Sequence, residues 1–142
     1  MRKANYDKFP STKLTGVLVQ GWDIIISMLK EKMDARKVLA VDLYTGVYEE
    51  EVLDAFSKEF SGRVMNVRDL MKPEKEIQTL TERFMTEDVL FGYVTNLKLE
   101  DYLDADKVAA ARKQISEAKE TIVIIGTGAA VVAPQDAMVV YA

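Results

Sequence analysis

KVLAVDLYTGVYEEEVLDAFSKEF, residues 37–60, decides the fold. Residues 37–43 form a near-continuous apolar run, the pattern of a strand covered on both faces of a parallel sheet. Tyr44, Thr45 and Gly46 supply a tight turn. After it, Val52, Leu53, Phe56 and Phe60 recur at helical spacing, and Ser61-Gly62 is a stop signal. Strand, turn and amphipathic helix make half of a βαβ unit.

The flanking segments are placed as neighbours of that unit. Downstream, RVMNV (63–67) reads as a short strand, and Pro73 suits the first position of a helix over 74–84. That helix carries Ile77, Leu80 and Phe84 on one face. DVLFGYVT (88–95) is rich in aromatic and β-branched residues and predicts a strand. LKLEDYL (97–103) admits either a strand or a helical turn. DKVAAARKQISEAK (106–119) predicts a helix buried through Val108, Ala111, Ile115 and Ala118. TIVIIGT (121–127) is a second strongly apolar strand, and AMVVYA (137–142) is a further one.

Upstream, WDIIISMLKEKM (22–33) places Trp22, Ile25, Ile26, Leu29 and Met33 on one helical face, with a stop near Asp34. LTGVLVQ (14–20) predicts a strand or extended segment, and residues 1–13, broken by Pro10, a loose lead-in. The order is thus β-α-β-α-β-α-β-α-β-β within a single domain, residues 1–142. Such alternation implies an α/β fold, a mostly parallel sheet with helices on both faces and right-handed crossovers. The strand-like ending, without polar tail or capped helix, predicts a piece of a longer protein.

Composition supplies exclusions. The 142 residues, 49% apolar and 30% charged, suit one soluble domain. With no cysteine and no histidine, a disulfide framework, a thiol nucleophile, a His-based triad and a zinc site of His and Cys are all impossible. Acid–base work would fall to Asp, Glu, Lys or Tyr. The net charge of −4 argues against nucleic acid as main partner. No apolar run reaches the roughly 18–20 residues of a membrane span. Lacking a secretory signal as well, the chain is expected in the cytoplasm, with no membrane partner.

Ligands of open α/β sheets lie beyond the carboxyl ends of strands. That points to two candidate loops: Asp42, Tyr44, Thr45 and Gly46 after the first long strand, and Gly126, Thr127 and Gly128 after the second. Neither is a phosphate loop. There is no G-x-x-x-x-G-K-[ST], and Glu49, Glu50 and Glu51 fill the first helical turn, where they complement the helix dipole and repel an anion. GTGAAV (126–131) lacks the third glycine of a dinucleotide fingerprint, and Pro134 forbids a long helix after it. The simpler reading is a turn where two backbones come close. Asp42 could be a Mg²⁺ ligand or a base, or could cap the turn that follows it. Arg63, Arg68, Lys72 and Arg83 could gather around a phosphate, or be a scattered solvated set.

Two stretches, VQGWDIIISMLKEKMDARKVLAVDLYTGVYEEEVLDAF (19–56) and TIVIIGTGAAVVAPQDAMVVYA (121–142), resemble the N-terminal region of long, two-part bacterial class I mannose-6-phosphate isomerases. The resemblance implies a nucleoside- or nucleotide-kinase-like α/β domain, P-loop-kinase-like in topology but without the P-loop, joined to a C-terminal cupin. It implies interconversion of mannose 6-phosphate and fructose 6-phosphate at a zinc site in the cupin, whose histidine ligands have no counterpart here. For this chain it implies no cofactor and no catalytic residue. The role would be docking on that cupin, homodimerisation, or sensing a small phosphorylated ligand. The alternative is a stand-alone nucleotide or sugar kinase using Asp42 and the Gly126–Gly128 loop.

Overall fold

The computed structural model describes residues 9–13, 15–33 and 35–142. At its centre lie β1 (Val38–Asp42) and β3 (Ile122–Gly126), paired in parallel so that Ala40 sits beside Ile124 and Asp42 beside Gly126. β2 (Arg63–Asn66) flanks β3 and β4 (Met138–Tyr141) flanks β1, giving an all-parallel sheet of order β2-β3-β1-β4. The chain is an α/β protein.

The pleat divides the central residues between two cores. Val38, Ala40, Ile122 and Ile124 face one way, packing with Val108, Ala111 and Ile115 of α5 (Ala105–Glu117) and with Ala129 and Val132 of the short α6 (Ala129–Val132). Leu39, Val41, Val123 and Ile125 face the other, against α1 (Trp22–Met33) and α2 (Glu49–Glu59). There Phe56 is buried, with the Trp22 ring edge-on to it at 6.4 Å. Val123, Ile124 and Ile125 are wholly buried, each stabilising the fold by roughly 1.5–3 kcal/mol relative to exposure. The face expected of the 106–119 segment is buried in the first of these cores through Val108, Ala111 and Ile115.

The connections share one hand. β1 to β2 crosses the sheet in one direction with α2 on one face. β2 to β3 and β3 to β4 cross in the opposite direction with α5 and α6 on the other face. Reversing both direction and face preserves handedness, as the right-handed rule for parallel crossovers requires.

The strand expected over 88–95 is absent, and of the two readings of 14–20, strand or extended segment, the described residues form no strand. Residues 15–20 carry no regular structure and, apart from the half-buried Val19, are exposed, Leu14 lying outside the described residues. Residues 88–95 form an outward loop after α3 (Glu74–Glu82), with Val89 97% and Val94 98% exposed. Local bonds hold that loop. Asp88 Oδ1 accepts from the amides of Leu90 and Phe91, Tyr93 N–H donates to Phe84 O, and Thr86 Oγ1 bonds Phe91 O. A side-chain-to-backbone turn of this kind competes directly with a sheet ladder. The ambiguous 97–103 segment resolves as a helical turn, α4 (Leu99–Tyr102), followed by a single antiparallel bridge from Leu103 to Met71. Of the lead-in, residues 9–13 are exposed and irregular; residues 1–8, and the helix stop at Asp34, lie outside the described residues.

Candidate functional site

The chain leaves β1 toward one edge of the sheet and leaves β3 toward the other, so the crevice beyond Asp42 and Gly126 is a topological switch point. The two candidate loops meet there. Leu43 N–H donates to Gly126 O at 3.3 Å, and Thr127 Oγ1 donates to Leu43 O at 2.9 Å.

Asp42 does not cap its own turn. Its Oδ1 accepts from Gly128 N–H at 3.0 Å and its Oδ2 from Ala130 N–H at 2.9 Å. Both oxygens therefore serve the first amides of α6, across 86 and 88 residues of chain. Gly128 makes this possible with φ +89°, a left-handed conformation that glycine adopts without steric cost. Gly126 is required by crowding: a Cβ there would lie 2.9 Å from Val67 Cβ, at φ +133°. The close-approach reading of the Gly-x-Gly pair holds at Gly126. Gly46, at φ +101°, turns the chain between Tyr44 and Val47, whose amide donates to Tyr44 O at 3.2 Å. Tyr44 and Tyr48 are exposed at the mouth of the crevice.

The four basic residues grouped by sequence do not converge. Arg63 stands at the start of β2, at the opposite end of the sheet from the crevice. Lys72 Nζ donates to Asp101 O at 2.6 Å, and the Arg83 guanidinium lies 4.6 Å from the Phe84 ring centre. Arg68 alone reaches the crevice, its Nε 3.9 Å from Glu49 Oε1. It is carried by the 3₁₀ turn Val67–Leu70, which Asn66 caps by accepting from Arg68 N–H at 2.8 Å.

Glu49 and Arg68 are the pair that reading the sequence misses. Glu49 looks like one of three dipole-complementing acids, yet its side chain is only 21% exposed and Oε1 is buried without a hydrogen-bond donor. Beside it opens a cavity of about 420 Å³, lined by Glu49, Arg68 and Thr127 and by the apolar Met71, Leu99 and Tyr102. A second hollow of about 410 Å³ over Leu43–Glu50 shares the first three residues. A larger cavity, about 570 Å³, sits at the opposite end of the strands around Lys37, Arg112 and Pro134. Arg112 is occupied there with the carbonyls of Val131 and Val132, and strand amino ends are not where such sheets bind ligands. Among the described residues, no group of three or more His, Cys, Asp or Glu is placed to hold a metal ion, and no helix is long and apolar enough to cross a membrane.

Fold and crevice together define a parallel α/β protein with a small cleft at its switch point. Residues 21–142 match the family described as a domain of unknown function, DUF8485, and the chain belongs to that family. No curated protein and no solved structure matches it.

Proposed function

We propose that the chain is a non-catalytic docking or regulatory module of a cytoplasmic mannose-6-phosphate isomerase-like protein, kinase-like in layout, that seats against the zinc-bearing cupin of its parent. The observation carrying this reading is the engagement of Asp42. In the kinase alternative, that carboxylate would bind Mg²⁺ or take a proton. Here both its oxygens accept backbone amides of the Gly128–Ala130 turn, and Glu49 occupies the helix entrance where a phosphate would need to sit. A histidine-free chain cannot contribute the histidine ligands of the isomerase zinc site.

Docking has a suitable surface. β4 is an edge strand, and residues 137–142 hold no charged side chain. Tyr141 is 78% exposed. Open, uncharged edges are templates for further pairing.

The test has two arms. The purified chain with Zn²⁺ and mannose 6-phosphate should form no fructose 6-phosphate, and ATP·Mg²⁺ should raise its Tm no more than Mg²⁺ alone, because a ligand that binds the native state stabilises it. Mixed with the cupin region of a two-part isomerase, the chain should sediment as a complex. Turnover, a nucleotide-dependent rise in Tm, or two independently sedimenting species would each overturn the reading.

A further inference from the structure

We infer that residues 15–20 are a strap that closes on the outer edge of β4 as a fifth parallel strand, and that must leave before any other strand can pair there. The inference concerns the chain by itself and does not rest on the docking reading. Where both hold, the strap controls access to the docking edge.

The starting point is a helix with no strand in front of it. Trp22, at the head of α1, donates through Nε1 to Glu51 Oε1 at 3.3 Å, and Glu51 lies in the first turn of α2. α1 therefore begins at the carboxyl end of the sheet. Its last residue, Met33, leads through residues 34–37 into the amino end of β1. α1 thus runs antiparallel to the strands, as the crossover helix of a β-α-β unit does. Among the described residues, however, no strand precedes it.

Handedness names the edge where that strand belongs. α2 lies over β2 and β3. Its neighbour α1, in contact through Trp22 and Phe56, lies over β1 and β4, whose Met138 and Val140 pack into the shared core. The β1 to β2 connection steps from β1 toward β3 and β2 with α2 on this face. A strand joined to β1 through α1, on the same face, must step in the same direction to keep the right-handed crossover. It therefore starts on the side of β1 away from β3. β4 already pairs with β1 there, so the vacancy is the outer edge of β4.

Segment and edge match in chemistry. Residues 15–20, TGVLVQ, hold no charged side chain, and Thr15, Val17 and Val19 are β-branched. Val17 is 88% and Leu18 94% exposed. Residues 137–142 are likewise uncharged, and Tyr141 is 78% exposed. Ala142 bonds β1 through both its N–H and its C=O, so by alternation Val139 and Tyr141 turn their backbone groups outward. Pairing satisfies the backbone of both segments and removes apolar side chains from water. Gly21, at φ +101° between the segment and α1, supplies the bend about which the strap swings.

The experiment is amide hydrogen exchange on the dilute, ¹⁵N-labelled full chain, read by NMR together with NOEs. The amides of Val139 and Tyr141 should be protected, and NOEs should link residues 17–19 to 139–141 while sedimentation shows a monomer. Of two consecutive strand residues only one turns its N–H to a given neighbour. Either Val17→Pro or Leu18→Pro should therefore speed exchange at Val139 and Tyr141 by about tenfold or more, leaving Val123 and Ile125 unchanged. Should a variant not fold, the NOEs of the parent chain decide alone. Unprotected Val139 and Tyr141, missing NOEs, or protection unaltered in both folded variants would each overturn the inference. Protection that appears only as the chain dimerises would also overturn it, giving the edge to a second copy. No cupin is present in the experiment, so its failure is distinct from any failure of the docking reading.

Discussion

Asp42, an acid at the end of a buried strand, engages both of its carboxylate oxygens with backbone amides. An acid at the carboxyl end of a buried strand is legible in the sequence as a site residue, and its position at the crevice follows from the strand pattern. Its partners were not legible, because the amides of Gly128 and Ala130 lie more than eighty residues away and no local spacing encodes them. The role has a measurable consequence. Asp42→Ala leaves two part-buried N–H groups without an acceptor, and should cost about 2–3 kcal/mol, read as a lower urea midpoint. Asp42→Asn keeps one acceptor oxygen and should cost about half as much. Equal stability of Asp42→Ala and the parent chain would mean that these amides find water instead. Glu49 teaches the converse lesson. Three consecutive acids at a helix start have an adequate local explanation in the helix dipole, so nothing in the sequence separates the one that turns into the cleft.

At the scale of elements, the long apolar strands and the amphipathic helices were readable because burial on both faces leaves an unmistakable run, as in IVIIG of β3. The 88–95 segment has equally strand-like residues but no place in the ladder. Asp88 and Thr86 bond its backbone locally instead, and β-propensity describes fit to a half-buried surface rather than a backbone preference. The contact between the end of β3 and the 3₁₀ turn is similarly invisible in sequence, although it decides what may stand at position 126. Gly126→Ala would press its methyl to 2.9 Å from Val67 Cβ at a positive φ, and should cost about 2–4 kcal/mol from overpacking and strain together. Part of that cost is relieved by Val67→Ala, so the double variant should be more stable than the sum of the single costs predicts. Strict additivity in denaturation midpoints would show that the crowding relaxes elsewhere and that φ strain alone holds the glycine.

Across the whole molecule, the two edges of the sheet are not alike. β2 presents Arg63 and Asn66 at its ends, while β4 offers only Met138, Val139, Val140 and Tyr141. The register fixes which backbone groups of β4 are spare. Ala142 N–H donates to Asp42 O at 3.0 Å, and Ala142 O accepts from Tyr44 N–H at 2.7 Å. With the alternation of a parallel ladder, Val140 and Met138 also turn their backbone groups toward β1, and Val139 and Tyr141 turn theirs outward. Proline lacks the N–H, so its effect depends on which way that group points. Val140→Pro breaks a bond to β1 and should destabilise the fold by about 2–3 kcal/mol or more. Val139→Pro removes only an outward donor and should cost about 1 kcal/mol or less. If docking runs through this edge, Val139→Pro should nonetheless abolish sedimentation of the complex with the cupin region, because the added strand loses its first backbone partner. A Val139→Pro chain that melts like the parent and still forms the complex would move the docking surface away from β4, to the exposed apolar loop at residues 88–95 or to the face around Tyr44 and Tyr48.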